Sequence, residues 1–233
     1  MPTGLTTAER RFWLCWLLAT TLGSLLGGAV SGAVISGGET SFDDVTSPLL
    51  GALALGVTTM IAFGVQGAAI GLTQGIALRH ALAHSGWWVI ATGGGWMVGG
   101  AVSGSLAGSV GGAMTGVGPD AGLAGLVVTF LGSGVALVML PGLLQWLVLR
   151  RQVEQAGWWV LASAVMFFVA NGLAFLVMVV VARALGWGLP SAQAWGLSGA
   201  LAGLLSGAIT GAVLVRLLRQ PHQHPLRKRA LVE

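Results

Sequence analysis

Residues 142–159 read GLLQWLVLRRQVEQAGWW, and this stretch sets the pattern for the whole chain. An apolar run ends at Arg150 and Arg151, a short polar segment follows, and a second apolar run begins at Gly157. Residues 71–88, GLTQGIALRHALAHSGWW, show the same order earlier in the chain. Long apolar runs on both sides of a short polar segment predict two helices joined by a turn.

The prolines at the start of every second predicted helix recur at a constant spacing. Pro48, Pro119 and Pro190 are equally spaced along the chain, and the interval between them also separates Trp87 from Trp158. We call this spacing the repeat interval. Because several pairs share one register, duplication is favoured over coincidence. We therefore predict three helical hairpins in the same orientation, at residues 8–78, 82–150 and 154–219.

The first and third hairpins depart from the middle one. In the first we align Trp13 with Trp87, and on that alignment the outer loop is three residues longer than in the other two hairpins. In the third, Arg216 takes the position of Gln74 and Gln145, and no Gly-Trp-Trp follows it. The third hairpin therefore has the pattern of a diverged terminal repeat.

The composition indicates a membrane protein. Of the 233 residues, 55% are hydrophobic and 8% are charged, whereas a soluble domain has about 25% charged residues. Each of six apolar stretches exceeds the roughly 20 residues that a helix needs to cross the hydrocarbon core. We predict an all-α integral membrane bundle of six transmembrane helices, forming one membrane domain over residues 1–233. The stretches are 12–35, 48–78, 86–113, 120–149, 157–182 and 191–218.

The basic residues indicate the orientation in the membrane. Ten of the eleven fall at one end of the predicted spans, and only Arg183 falls at the other. By the positive-inside rule, the basic end and both termini are expected in the cytoplasm. A signal peptide is the alternative interpretation of the first span, but the run is long and belongs to the repeat. The basic tail, 220–233, is expected to reinforce this orientation and to contact anionic lipid.

The order Gln-Trp-x-x-Leu-Arg at 145–150, followed by Gly-Trp-Trp at 157–159, resembles uncharacterised multi-pass membrane proteins of bacteria. The resemblance covers most of the chain. It implies a multi-pass protein of the bacterial inner (plasma) membrane that is built from repeated hairpins. It implies no activity and no catalytic residues.

Glycine recurs at every fourth position in three of the predicted spans. This spacing keeps the glycines on nearly one helix face, so that two helix backbones can approach closely. Such a glycine zipper predicts helix packing within the chain, and the alternative is a face for a homo-oligomer or a membrane partner. The series are Gly67, Gly71 and Gly75; Gly100, Gly104, Gly108, Gly112 and Gly116; and Gly199, Gly203, Gly207 and Gly211.

Polar side chains inside the predicted spans are neutral. We interpret them as hydrogen-bonding groups between helices, with a narrow polar path along Gln66, Gln74 and Gln145 as the alternative. No Asp, Glu, Lys or His lies deep in a span, which argues against coupling to protons or sodium. The other neutral polar residues noted are Thr58, Thr59, Thr73, Ser103, Ser133, Ser163, Asn171, Ser206 and Thr210.

Tryptophans concentrate near the predicted membrane boundaries. We interpret them as an aromatic belt whose rings lie among lipid, with stacking on a pigment or quinone as the less favoured alternative. Trp96 is the exception, because it falls well inside the third span. The belt residues are Trp13, Trp16, Trp87, Trp88, Trp146, Trp158 and Trp159 at the basic boundary, and Trp187 and Trp195 at the other.

The residues that usually perform chemistry form no recognisable constellation. Cys15 is the only cysteine, and an apolar run surrounds it. His80 and His84 have a spacing that can place two ligands on one helix face, but no Cys or carboxylate stands near them to complete a metal site. We therefore predict no catalytic residue, no metal site and no cofactor.

Two functions from different classes fit these patterns. The first is a non-enzymatic structural, assembly or auxiliary subunit of a membrane complex. The alternative is a passive channel or carrier for a small neutral solute, with parallel repeats around a polar axis. The expected partners are membrane lipids and a second copy or another membrane protein, but not nucleic acid.

Overall fold

Six helices make up the described part of the chain, which contains no strand. The computed structural model describes residues 4–41, 47–82, 85–114, 119–185 and 192–219. The helices are α1 (Thr7–Ser41), α2 (Pro48–Leu78), α3 (Gly86–Met114), α4 (Pro119–Leu149), α5 (Gly157–Leu185) and α6 (Ala192–Leu218). Several residues and segments used above lie outside the described residues, namely His84, Gly116, Trp187, Pro190 and the tail 220–233.

The helix boundaries follow local sequence signals. At the start of α1, Glu9 N–H donates to Thr6 Oγ1 (3.3 Å) and Thr6 N–H donates to Glu9 Oε2 (2.8 Å), which is a capping box. Ser47 precedes Pro48 at the start of α2, although its side chain makes no capping hydrogen bond. Helices α2 and α4 begin one repeat interval apart and also end one repeat interval apart, and the same is true of α3 and α5.

The predicted count of six helices is confirmed, and four of them are long and apolar enough to cross a membrane. These four are α1, α2, α5 and α6. The first of their apolar spans is Thr7–Gly37 and the last is Gln193–Leu218. Within the described residues, α4 contributes a shorter apolar segment, Gly134–Leu149. Large apolar side chains such as Leu18 and Val180 are exposed on the outside, as expected of a surface in contact with lipid.

The helices are arranged as a ring. Each helix packs against its neighbours in chain order, and α6 packs against α1 to close the ring. Among the described residues, no helix packs closely against one that lies across the ring. The axis of the ring is therefore occupied by side chains rather than by another helix.

One end of the ring carries Arg10, Arg79 and Arg150, and we call it the arginine end. A buried apolar cluster fills the axis there, with contributions from all six helices and both connecting turns. On its surface, Arg219 Nε lies 2.6 Å from Glu9 Oε1 and joins the end of α6 to the start of α1. This ion pair is exposed and adds little stability. The cluster contains Trp16, Leu78, Leu82, Trp88, Leu149, Val153, Ala156, Trp159, Leu214 and Leu217.

Candidate functional site

Three tryptophans meet on the axis at the arginine end. Trp16, Trp88 and Trp159 pack edge to face, with ring centroids 5.8 Å apart for the first pair, 6.0 Å for Trp16 and Trp159, and 5.3 Å for Trp88 and Trp159. Their exposed fractions are 0%, 0% and 2%. This edge-to-face geometry is favoured by the aromatic quadrupole. We call these three side chains the tryptophan cluster.

The tryptophan cluster corrects the prediction that these rings lie among lipid. In each Trp-Trp pair the first member, Trp87 or Trp158, is 61% or 58% exposed, whereas the second is buried. Consecutive helical residues point about 100° apart, so a pair at a helix start divides between the outside and the axis. The first helix contributes Trp16 to the cluster rather than Trp13, which we had aligned with the pairs.

Two glutamines hold the indole groups of this cluster. Trp88 Nε1–H donates to Gln74 Oε1 (2.9 Å), and Gln74 Nε2–H donates to Thr20 Oγ1 (3.1 Å). Each of these side chains comes from a different helix. The glutamine therefore ties α2 to both α1 and α3 at buried positions, where an unpaired polar group is costly.

The same arrangement occurs again one repeat interval further along the chain. Trp159 Nε1–H donates to Gln145 Oε1 (3.0 Å), and Gln145 Nε2–H donates to Thr92 Oγ1 (2.9 Å). The predicted residues Gln74 and Gln145 thus occupy equivalent places, one helix pair apart.

The third position around the axis lacks a glutamine. Trp16 Nε1–H donates instead to Thr210 Oγ1 (3.1 Å), and that hydroxyl donates to the Ser206 carbonyl (2.6 Å). Arg216, which the repeat register places here, is exposed to the surroundings. Among the described residues, no glutamine side chain therefore joins α5 to α6 at this level of the axis.

Next to the tryptophan cluster lies a cavity of about 120 Å³, lined by side chains from all six helices. Gln66, the third predicted amide, lines it and accepts a hydrogen bond from Ser31 Oγ (3.0 Å). The structure thus brings all three glutamines to one space, which we call the axial cavity. Its polar lining consists of Thr20, Ser24, Gln66, Gln74, Thr92, Gln145, Ser163, Asn171, Ser206 and Thr210.

The electrostatic character of the axial cavity is neutral and hydrogen-bonding. None of the described residues that line it carries a formal charge. Ser24 is buried, and among the described residues its hydroxyl has no hydrogen-bond partner. Trp96 and Phe167, whose ring centroids are 5.9 Å apart, add aromatic surface to the lining. The cavity therefore offers amide and hydroxyl groups together with aromatic rings.

The predicted glycine series of α3 faces α2. A Cβ on Gly100 would lie 2.6 Å from the Thr59 carbonyl oxygen, and one on Gly108 would lie 2.6 Å from Ala52 Cα. At Gly104 the same Cβ would collide with the Thr59 hydroxyl, which itself donates to the Gly100 carbonyl (2.7 Å). For Gly112, only its place in α3 is described.

The predicted glycine series of α6 faces α1. A Cβ on Gly203 would lie 2.8 Å from the Thr20 carbonyl oxygen, and one on Gly211 would lie 2.7 Å from Trp16 Cδ1. Gly199 lies against the Ser24 carbonyl, and Gly207 lies against Thr20 and Leu17. The glycines of α6 are thus placed where the ring closes.

The residue types that usually support chemistry are dispersed in the described part of the chain. In the part of the chain that the structure describes, no three His, Cys, Asp or Glu side chains lie close enough to share a metal ion. His80 Nε2 accepts a hydrogen bond from Arg79 Nε–H (2.9 Å), and Cys15 is exposed on the side of α1.

Comparison of the chain with protein-family models, with curated proteins and with solved structures finds no match.

The hydrogen bonds of the glutamines lead to a first prediction. Gln145→Leu removes the acceptor of Trp159 Nε1–H and the donor to Thr92 Oγ1. The buried indole N–H is left unpaired, whereas the Thr92 hydroxyl still donates to the Trp88 carbonyl (2.8 Å). We expect the free energy of unfolding to fall by about 1–3 kcal/mol, measured by thermal unfolding in mild detergent with circular dichroism. Gln74→Leu, in the equivalent place, should show a similar loss. Unchanged unfolding of both variants would contradict the network.

Proposed function

We propose that this chain is a multi-pass membrane protein in which all six helices cross the bilayer, with the arginine end and both termini in the cytoplasm. Four helices of sufficient length and apolarity support this location, and the ten basic residues at one end support this orientation. The helix bounds that recur at the repeat interval support an origin from three parallel hairpins. By the resemblance stated above, the membrane is a bacterial inner membrane.

Within that membrane, we infer that the chain is a passive channel or carrier for a small neutral solute. The observation that carries this proposal is the axial cavity, with neutral polar side chains from all six helices around it. Polar residues inside a membrane bundle commonly mark a substrate path. The bonds described above engage only one N–H and one lone pair of Gln74 and Gln145, so each amide retains capacity for a solute.

The size and charge of the cavity define the class of solute. A volume of about 120 Å³ is close to the roughly 150 Å³ cavity that holds one benzene molecule in another protein. It therefore suits a solute of a few heavy atoms. An ion would lose its hydration without meeting an opposite charge, which is costly. Urea and glycerol have the size and the hydrogen-bonding groups that this cavity fits.

In this proposal, the tryptophan cluster determines which end of the axial cavity is closed. It fills the axis on the arginine side of the cavity, which supports a path that is closed at its cytoplasmic end in the proposed channel or carrier. Passage of a solute requires these rings to separate, as in a gated path rather than an open pore. The edge-to-face contacts and the indole hydrogen bonds described above oppose that separation.

A transport assay tests the proposed function. Vesicles that contain the protein should take up urea or glycerol faster than protein-free vesicles, as followed by stopped-flow light scattering. Gly142→Leu should remove the increase, because Gly142 lines the cavity and its Cβ would make only an ordinary contact, 3.5 Å from Ser163 Cβ. The added side chain would therefore fill the space without displacing a helix.

Gly172→Leu is the matched control for this assay. Among the described residues, no atom of another helix lies within 4 Å of a Cβ on Gly172, and this glycine does not line the cavity. Uptake by this variant should equal that of the unmodified protein. If vesicles with the unmodified chain take up both solutes no faster than protein-free vesicles, the proposal is overturned. If the two glycine variants take up the solutes at equal rates, the solute does not pass through the cavity.

The structural, assembly or auxiliary role is the second candidate, and it too is non-enzymatic. The observation that supports this role is the extensive exposed apolar surface of the ring. A protein partner covers such a surface as readily as lipid does. The glycine faces support it less, because Gly100 and Gly203 are directed toward helices of this chain. Purification in mild detergent separates the two candidates, since a monodisperse monomer without a co-purifying protein would count against the subunit role.

A further inference from the structure

A groove of about 980 Å³ runs along the outside of the ring between α3 and α4. Its walls are apolar along most of their length, with Ile90 and Met97 on one side and Leu147 on the other. Gly94 lies between these walls, and among the described residues no atom of another helix lies within 4 Å of a Cβ placed on it. The groove is separate from the axial cavity, and the two share no lining residue.

Among the described residues that line the groove, the polar ones lie at one end. Arg151 and Gln152 line it at the arginine end, next to the exposed ring of Trp87. From Trp87 to Val98 the groove follows eleven residues of α3, which is roughly 16 Å at 1.5 Å per residue. One leaflet of the hydrocarbon core is roughly 15 Å deep. The groove therefore has the length of one acyl chain, with a cation where the headgroup would lie.

We propose that this groove binds one anionic phospholipid of the cytoplasmic leaflet. An acyl chain lies between α3 and α4 over Gly94, and the phosphate contacts the guanidinium of Arg151. Arginine is well suited to phosphate because its donors form a planar fork. The proposal rests on the membrane location proposed above, but it does not depend on the solute of the axial cavity.

The dimensions of the groove favour a lipid over a helix of a partner protein. A partner helix that crosses the bilayer needs roughly 30 Å of apolar contact, whereas the described lining of the groove extends over roughly 16 Å along α3. A lipid tail of one leaflet fits that length.

The adjacent arginine provides a contrast within the same turn. The Arg150 guanidinium carbon lies 5.0 Å from the centre of the Trp146 ring, a cation–π contact. Arg150 does not line the groove, whereas Arg151 does. A general attraction of cations to the membrane surface would involve both, but the proposed site uses only Arg151.

Lipid retention after purification tests the site. The protein is reconstituted in vesicles of phosphatidylglycerol and phosphatidylcholine, extracted in mild detergent, and assayed for bound phospholipid by mass spectrometry. The unmodified chain should retain phosphatidylglycerol preferentially. Arg151→Gln should lower that retention by about fivefold, and Gly94→Leu should abolish it by filling the groove. Arg150→Gln and Gly172→Leu are the controls, and both should retain the lipid.

The outcomes separate this site from the proposed membrane location. Flotation of the vesicles shows first whether the protein is inserted, and a protein that does not float would overturn the location. Inserted protein that retains equal lipid in all four variants would overturn only the groove. The groove would also be overturned if Arg150→Gln lost as much phosphatidylglycerol as Arg151→Gln. A co-purifying protein that Gly94→Leu releases would overturn it as well.

Discussion

Trp88→Ala is expected to lower the free energy of unfolding by roughly 3–5 kcal/mol, the usual cost of removing a fully buried tryptophan. The ring is completely buried and lies against Trp16 and Trp159 at centroid distances of 5.8 and 5.3 Å. Its loss also deprives the Gln74 carbonyl oxygen of the indole donor. Thermal unfolding in mild detergent, followed by circular dichroism, measures the effect.

The neighbouring residue provides the control for this prediction. Trp87 is chemically identical and adjacent in the sequence, but its ring is 61% exposed on the outside. Trp87→Ala should change the free energy of unfolding by less than about 0.5 kcal/mol, as exposed substitutions usually do. Equal losses for the two variants would show that the tryptophan cluster does not stabilise the ring.

The same variant also tests the role of the cluster in passage. If the three rings close the cytoplasmic side of the axial cavity, removing Trp88 enlarges the path and leaves fewer contacts to separate. Vesicles with Trp88→Ala should then take up urea faster than vesicles with the unmodified protein, despite the lower stability. Slower or unchanged uptake by folded Trp88→Ala protein would place the barrier elsewhere.

The sequence predicts the helices well because their ends carry strong local signals. Pro48 and Pro119 begin α2 and α4, and Gly86 and Gly157 begin α3 and α5. Proline has a fixed φ angle that suits the first helical turn, and its missing N–H costs nothing there. Such signals act within a few residues, so tertiary packing has little opportunity to override them.

The sequence does not show which face of each helix points to the axis. In a soluble helix, polar residues mark the outside, but here the outside of the ring and its interior are both apolar, and the contrast disappears. Trp87 and Trp88 were therefore assigned to one environment, although the structure gives them opposite ones. The position of a helix around its own axis depends on its neighbours, which no local pattern records.

Two hydroxyls of the axial cavity were missed for a related reason. Thr20 and Thr92 accept hydrogen bonds from Gln74 and Gln145, yet a threonine within a helix usually bonds to its own preceding turn. The sequence did contain a signal for these positions, because Thr20, Thr92 and Ser163 each lie four residues after a tryptophan of the cluster. Side chains four apart share a face, but this is informative only once the buried tryptophan of each pair is known.

The glycines of α6 lead to the second large effect. Gly203→Ala should lower the free energy of unfolding by about 1–3 kcal/mol, because its Cβ would lie 2.8 Å from both the Thr20 carbonyl oxygen and Ser24 Cβ. The backbone oxygen belongs to the first helix and cannot turn aside as a side chain does. Gly203→Leu should cost more than about 3 kcal/mol and prevent α6 from closing the ring. Detergent unfolding and gel filtration measure these effects.

The order of three alanine variants decides what these glycines do. At Gly207 the nearest atoms to the added Cβ are 3.1 and 3.3 Å away, and at Gly172 there are none within 4 Å. Losses should therefore decrease from Gly203→Ala to Gly207→Ala, and Gly172→Ala should gain up to about 1 kcal/mol from helix propensity. If the α6 face instead joined two copies of the chain, Gly203→Ala would dissociate an oligomer and leave monomer unfolding unchanged. Because the ring closes through α1 and α6, we expect the loss in the monomer itself.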